Sequence, residues 1–200
     1  MKAILMSIKP KWCEKIFSGK KTIEVRKTAP KLELPFKVYV YCTKDGMDVY
    51  GNAKRYVTDT LHILNENAAK AFEKTTGLSK WNGKVVGEFI CERVTEHEIC
   101  DSGAVVNYWA EGLQHSCLTV SQIDEYVGKR SSSDYGKKSK VYGLHISDLK
   151  IYDKPKELSE FKKGCNDMYD PQFGSYCGYC PHPCFLTRPP QSWMYIEELC

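Results

Sequence analysis

Gly19-Lys20-Lys21-Thr22-Ile23-Glu24-Val25-Arg26 reads as a strand that opens directly after a helix stop. Ile23 and Val25 alternate with Thr22, Glu24 and Arg26. Successive strand side chains face opposite ways, so the apolar pair can enter a core while the three polar side chains share the other face. Lys21 sits at the strand mouth and is free to lean toward that polar face. An ammonium, a carboxylate and a guanidinium gathered on rigid backbone suit a small polar ligand such as a base or a phosphate. The same pattern also fits the solvated outer face of a half-buried strand, and the residues alone leave both readings open.

Outward from this octet the periodicity predicts a mixed fold. A buried strand is expected over residues 3–8. Pro10 suits a first helical position, Trp12, Cys13, Ile16 and Phe17 fall on one helix face, and Gly19 suits the C-terminal stop. Further strands are expected over 37–43, 85–94 and 140–151. A helix is expected over 61–76, where Leu61, Leu64, Ala68, Ala71 and Phe72 recur at helical spacing before Gly77. Residues 104–116 are ambiguous between a loop and a short helix carrying Tyr108 and Trp109. Thr119-Val120-Ser121-Gln122 has the spacing of a capping box and opens a helix through about residue 127. Residues 128–139 form a polar loop by composition, and no internal repeat is present.

The motif Gly19-x-Lys21-x-x-Glu24-x-Arg26 resembles the G-x-K-x-x-E-x-R signature of the ASCH domain family, a branch of the PUA-like β-barrels. Ile4-Leu5-Met6-Ser7-Ile8-Lys9-Pro10 is similar to that family's opening strand and turn, and residues 11–18 to the helix that follows. Gly83-Lys84-Val85-Val86-Gly87-Glu88-Phe89 and Tyr142-Gly143-Leu144-His145-Ile146-Ser147 fit later segments. The resemblance implies an α+β fold, a small PUA-like mixed β-barrel with peripheral helices, over residues 1–152. Residues 153–200 would then form a cysteine-rich C-terminal extension packed on the barrel.

Length and composition agree with one domain plus an appendage: 200 residues, 42% hydrophobic and 27% charged. No run of about 18 apolar residues occurs, so no membrane span is expected. The N-terminus lacks the pattern of a secretory signal, and ten cysteines without one point to a reducing, cytoplasmic setting. Net charge is +4, but residues 1–44 hold eleven Lys or Arg against three Glu, which is +8 for this segment and −4 for the rest. A patch of that sign attracts phosphate backbones; a Lys-rich solvated surface is the plainer reading. Lys137-Lys138-Ser139-Lys140 adds a second basic cluster in a loop.

Five of the ten cysteines fall in the last 36 residues. Cys177-Gly178-Tyr179-Cys180 is a C-x-x-C turn, in which two thiolates can chelate one Zn²⁺. Cys184 supplies a third sulfur and Cys165 a fourth, with His182 and Cys200 as alternatives for the last position. A closed four-ligand site would be structural, pinning a segment with few apolar residues. Free thiols, a disulfide or an iron–sulfur cluster stay open.

Other candidates carry less. His62, His97, His115 and His145 show no metal-ligand spacing, and Cys42 and Cys91 lie in strands where inert buried thiols are the rule. No nucleophile elbow, P-loop or G-x-G-x-x-G occurs. Trp12, Trp81 and Trp109 could stack a base, worth about 1–3 kcal/mol, although each more often serves a core. Trp81, in the turn-like Lys80-Trp81-Asn82-Gly83, is the one best placed by sequence to line a cleft.

Two function classes follow. As a binding module, the resemblance implies recognition of RNA or a modified nucleoside through the G-x-K-x-x-E-x-R cleft, with Lys9, Lys21, Thr22, Glu24, Arg26 and Trp81 as ligand-binding residues. Lys21 and Arg26 would hold anionic or carbonyl oxygens, and Glu24 would accept from an exocyclic amine or ribose hydroxyl. As an enzyme, the resemblance implies either a ribonuclease or an N4-acetylcytidine amidohydrolase with Lys21 as the activating group, and Lys21 and Glu24 are the candidate catalytic residues. The hydrolytic relatives carry a threonine three residues after the lysine, where this chain has Glu24. Thr22 is adjacent to Lys21 but at a different strand position, and Glu125 is the only candidate found for the family's later glutamate. A carboxylate beside Lys21 favours the protonated ammonium and opposes its use as a base, which weighs toward binding.

Overall fold

The computed structural model describes residues 1–44, 81–99, 113–128, 139–163, 169–170, 175–176 and 185–199. The elements run β1 (Lys2–Ile8), α1 (Pro10–Phe17), β2 (Ile23–Arg26), β3 (Phe36–Cys42), β4 (Lys84–Ile99), α2 (Val120–Val127), β5 (Ser139–Lys156), β6 (Tyr169–Asp170), β7 (Ser175–Tyr176) and β8 (Trp193–Glu197). A 3-10 turn at Leu113–Ser116 precedes α2 and another at Leu158–Glu160 follows β5. The helix expected over 61–76, residues 104–112 and most of the 128–139 loop lie outside the described residues.

Six strands form one mixed sheet in the order β2-β5-β4-β3-β1-β8, and β6 pairs with β7 in a separate ribbon. β1 runs parallel to β3 and antiparallel to β8; the remaining neighbours are antiparallel. β1 explains the layering. Ile4, Met6 and Ile8 pack on one face with Val38, Val40, Phe89 and α1's Cys13 and Ile16. Ala3 and Leu5 pack on the other with Tyr39, Phe161, Leu186 and Ile196. A strand covered on both sides is apolar throughout, and Ala-Ile-Leu-Met is such a run.

The local signals behave as their chemistry demands. Pro10 opens α1, where its missing N–H costs nothing. Gly19 closes the helix at φ 72°, a left-handed conformation that side chains with a Cβ resist. Thr119 and Gln122 exchange the reciprocal bonds of a capping box at 3.2 and 3.0 Å.

The expected closed barrel is not what the strand ladder makes. Among the described residues β2 and β8 are edges of an open sheet that do not pair with each other. The sheet curls until these edges approach, and side chains bridge the seam. Arg26 NH2 donates to Ser7 O at 2.7 Å, Trp193 Nε1 donates to Thr28 O at 3.1 Å, and the Lys31 N–H donates to Tyr195 Oη at 2.9 Å. The chain past residue 152 packs on the same sheet. β5 runs on to Lys156, and Phe161, Leu186 and β8 belong to the same core as β1 and β3. No helix among the described residues is long and apolar enough to cross a membrane.

Candidate functional site

The seam between the two sheet edges holds the site. β2 turns Ile23 and Val25 toward Leu113, Ile123 and Val141, which leaves Glu24 and Arg26 on the opposite face. That face is not solvated. Lys21, Glu24 and Arg26 are only 2%, 6% and 7% exposed. Burying three charges is tolerable only where they neutralise one another and their remaining polar atoms find partners.

Lys21 meets this condition fully. Its Nζ donates to Ile23 O and to Ser116 O, both at 2.7 Å, and lies 3.2 Å from Glu24 Oε2. The contact with Ser116 ties the 3-10 turn before α2 to the mouth of β2. Glu24 Oε1 pairs with Arg26 NH2 at 3.0 Å. Arg26 NH2 also reaches Ser7 O, while NH1 lies 3.5 Å from Ser192 Oγ. The guanidinium fork thus spans β2, β1 and the approach to β8. Two atoms of the cluster stay without hydrogen bonds: Glu24 Oε2, which has only the ion pair with Lys21, and Arg26 Nε.

A cavity of about 590 Å³ opens over this cluster, within the range of small-ligand sites. Lys21, Glu24 and Arg26 line its floor, with Lys9 and Trp12 along one wall. Gln122, Glu125 and Tyr126 reach it from α2, and Gln191 and Ser192 from the segment leading into β8. α2 is held in place by its buried Ile123 and by Lys27, whose Nζ donates to Val127 O at 3.1 Å and stands 5.2 Å from the Tyr126 ring centre. Trp12 is ringed by cations: the Nζ atoms of Lys11, Lys15 and Lys21 lie 4.7, 5.0 and 5.4 Å from its ring centre.

Of the residues singled out by sequence, Lys9, Lys21, Glu24 and Arg26 come together at the cavity. Thr22 does not line it. Thr22 is exposed just ahead of the β2 ladder, where its N–H donates to His115 O and its carbonyl accepts from Ile146 N. Trp81 does not line it either. Its ring packs edge-on against Phe17 at 5.1 Å beside the main core, so the stacking surface at the cavity is Trp12. Gln122, Tyr126, Gln191 and Ser192 were not legible as site residues, because their approach depends on tertiary packing. Glu125 does border the cavity, on the exposed side of α2.

The four cysteines expected to bind zinc, Cys165, Cys177, Cys180 and Cys184, lie outside the described residues, as do His182 and Cys200. Of the described cysteines, Cys13, Cys42 and Cys91 are buried and Cys117 is half-buried. Burial pushes the Cys91 thiol up to about 11, and a hydrogen bond with Cys42 together with burial holds Cys13 well above its usual range.

No family model and no curated protein matches the chain. Crystal structures of two single-substitution variants of an ASCH protein from Zymomonas mobilis are similar to it in fold. The first has a TM-score of 0.52 at 16% identity, covering 99% of this chain and 92% of that one. The second has a TM-score of 0.51 at 16% identity, covering 98% and 89%. The chain therefore shares its α+β fold with these ASCH structures.

Proposed function

We propose that this chain binds RNA or a modified nucleoside, with a base seated in the cavity over Glu24 and Arg26. One observation carries the reading: Glu24 and Arg26 lie side by side on the lining of an open cavity, Glu24 Oε2 held only by its ion pair with Lys21 and Arg26 Nε buried without a hydrogen bond. Buried polar atoms ordinarily find partners. A carboxylate acceptor beside a guanidinium donor is complementary to a base edge that presents a donor next to an acceptor. Trp12 offers a face for stacking, and Lys9 supplies charge at the rim. The ASCH fold and the +8 charge of residues 1–44 are consistent with such a ligand.

The hydrolytic alternative, an N4-acetylcytidine amidohydrolase or a ribonuclease, has Glu125 at the cavity in its favour. Against it stands Lys21, whose Nζ is held by two carbonyls and a carboxylate. Thr22, the nearest hydroxyl in sequence, does not line the cavity. Glu24 and Arg26 would then recognise the ligand, and Lys21 would hold the floor. The rest of the reading is a cytoplasmic setting and a structural Zn²⁺ on Cys165, Cys177, Cys180 and Cys184 in a C-terminal extension.

The test is calorimetric titration of common ribonucleosides and N4-acetylcytidine into wild type, Trp12→Ala and Glu24→Gln, with product analysis of each mixture. Binding weakened about tenfold or more by Trp12→Ala, without turnover, is the expected result. Product formation by wild type that is lost in a Lys21→Ala variant shown by circular dichroism to be folded would establish the hydrolase instead. No binding by folded wild type would reject the cavity as a base site.

A further inference from the structure

A second cavity, of about 390 Å³, adjoins the first. Ser7 and Thr43 line both, so the two share a wall at the C-terminal ends of the parallel strands β1 and β3. A strap of chain crosses between them. Pro190 borders the smaller cavity and Ser192 the larger, and both are fastened to Ser7. Ser7 Oγ donates to Pro190 O at 2.6 Å, and the Ser7 N–H donates to Ser192 O at 2.9 Å. Arg26 binds the Ser7 carbonyl from the larger cavity, which makes Ser7 the shared post of both.

The smaller cavity has its own chemistry. Thr43 and Thr187 bring hydroxyls to it, Lys44 an ammonium, and no carboxylate borders it among the described residues. Lys44 packs beside a glycine. Its stem lies across Gly83, where an added Cβ would come within 2.6 Å of Lys44 Cε. Gly83 is itself at φ 74° and is pinned by its N–H to Cys42 O at 2.9 Å. Hydroxyls and a lysine with no carboxylate beside them among the described residues suit a phosphodiester.

We propose that the smaller cavity is a second subsite that holds the phosphate and sugar adjoining a base bound at Glu24 and Arg26. The ligand is then an internal stretch of single-stranded polynucleotide rather than a free nucleoside. This rests on the base-binding reading above. The strap between Pro190 and Ser192 becomes the ridge over which the strand bends, with the phosphate held near Thr43 and Lys44.

The experiment is calorimetric titration of five ribonucleosides (adenosine, cytidine, guanosine, uridine and N4-acetylcytidine), each alone and as a dinucleotide with cytidine. It is run on wild type and on Lys44→Ala, an exposed position. For the base that binds best, the dinucleotide should bind about tenfold tighter than the nucleoside and lose affinity with added salt, while the nucleoside responds little. Lys44→Ala should remove most of that gain and leave the nucleoside unchanged. Equal wild-type affinities, or a Lys44→Ala loss shared by both ligands, overturns the second subsite while the base site stands. Failure of every nucleoside and dinucleotide to bind overturns both.

Discussion

Arg26 donates from NH2 to the carbonyl of Ser7 at 2.7 Å, which joins β2 to a strand that lies beyond β5, β4 and β3 in the sheet. The curl of the sheet therefore closes through a side chain where no ladder does. The same NH2 pairs with Glu24, so seam and site share one guanidinium. Arg26→Ala leaves a buried carboxylate short of one partner and the Ser7 carbonyl without its donor. The expected loss is about 3–5 kcal/mol of unfolding free energy in urea. Arg26→Lys keeps the charge but not the fork and should recover only part of it. A wild-type midpoint for Arg26→Ala would show that the seam is held elsewhere.

Lys21 is a tie rather than a free cation. Its bonds to Ile23 O and Ser116 O fasten the 3-10 turn to β2, and the neighbouring Thr22 N–H to His115 O bond depends on the same junction. Lys21→Met keeps the stem and removes the ammonium. It should cost about 3 kcal/mol or more and speed hydrogen exchange at the Thr22 amide far more than at the β3–β4 ladder. Unchanged exchange at Thr22 would remove the anchoring role and leave the ammonium available for chemistry.

These two residues also show what sequence alone can carry. The alternation through Ile23 and Val25 fixes which β2 side chains share a face, because a strand has period two whatever its partner. It cannot tell whether the polar face meets water or the opposite edge of a curled sheet. Glu24 and Arg26 are buried because of a seam made by residues 7 and 192, far from them in sequence. The helix stop at Gly19 and the capping box at Thr119 were legible because each is complete within four residues. Choosing Trp81 over Trp12 as the cavity aromatic failed for the opposite reason: both are half-buried, and only tertiary packing sets one against Phe17 and the other over Lys21. The strand at Trp193–Glu197 was hidden behind two prolines and takes its order from pairing with β1.

His145 gives the fold a pH dependence on its acid side. Burial, then the nearby charges of Arg93, His97 and His115, hold its imidazole below the ordinary value of 6.5. Its Nδ1 lies 3.2 Å from Arg93 NH2, a donor, and Nε2 lies 3.4 Å from Thr95 Oγ1, itself 2.9 Å from His97 Nε2. The unfolded chain therefore takes up a proton before the folded one does. Stability contributed by the neutral ring is complete above 6.5, declines as pH falls below it, and levels off under the depressed folded value. Urea midpoints measured between pH 7.5 and 5 should fall toward acid, and His145→Asn should flatten part of that slope. An identical slope in the variant would assign the effect to other groups.

The cysteines should divide into three chemical classes in one alkylation experiment. Cys13, Cys42 and Cys91 are buried, and the raised thiols of Cys13 and Cys91 leave almost no thiolate at pH 8, so native protein should not label there. Cys117 is half-buried and should label first among the described cysteines, although its Sγ donates to Lys20 O at 3.1 Å. If Cys165, Cys177, Cys180 and Cys184 hold zinc as their spacing implies, they should resist labelling until a chelator is added. Purified protein should then contain about one zinc per chain, lost in Cys177→Ser. Peptide mapping by mass spectrometry distinguishes the classes. Labelling of Cys177 and Cys180 without chelator, in protein free of zinc, would assign them as ordinary thiols and leave the C-terminal segment to be held by β8 and by Phe161 and Leu186 in the core.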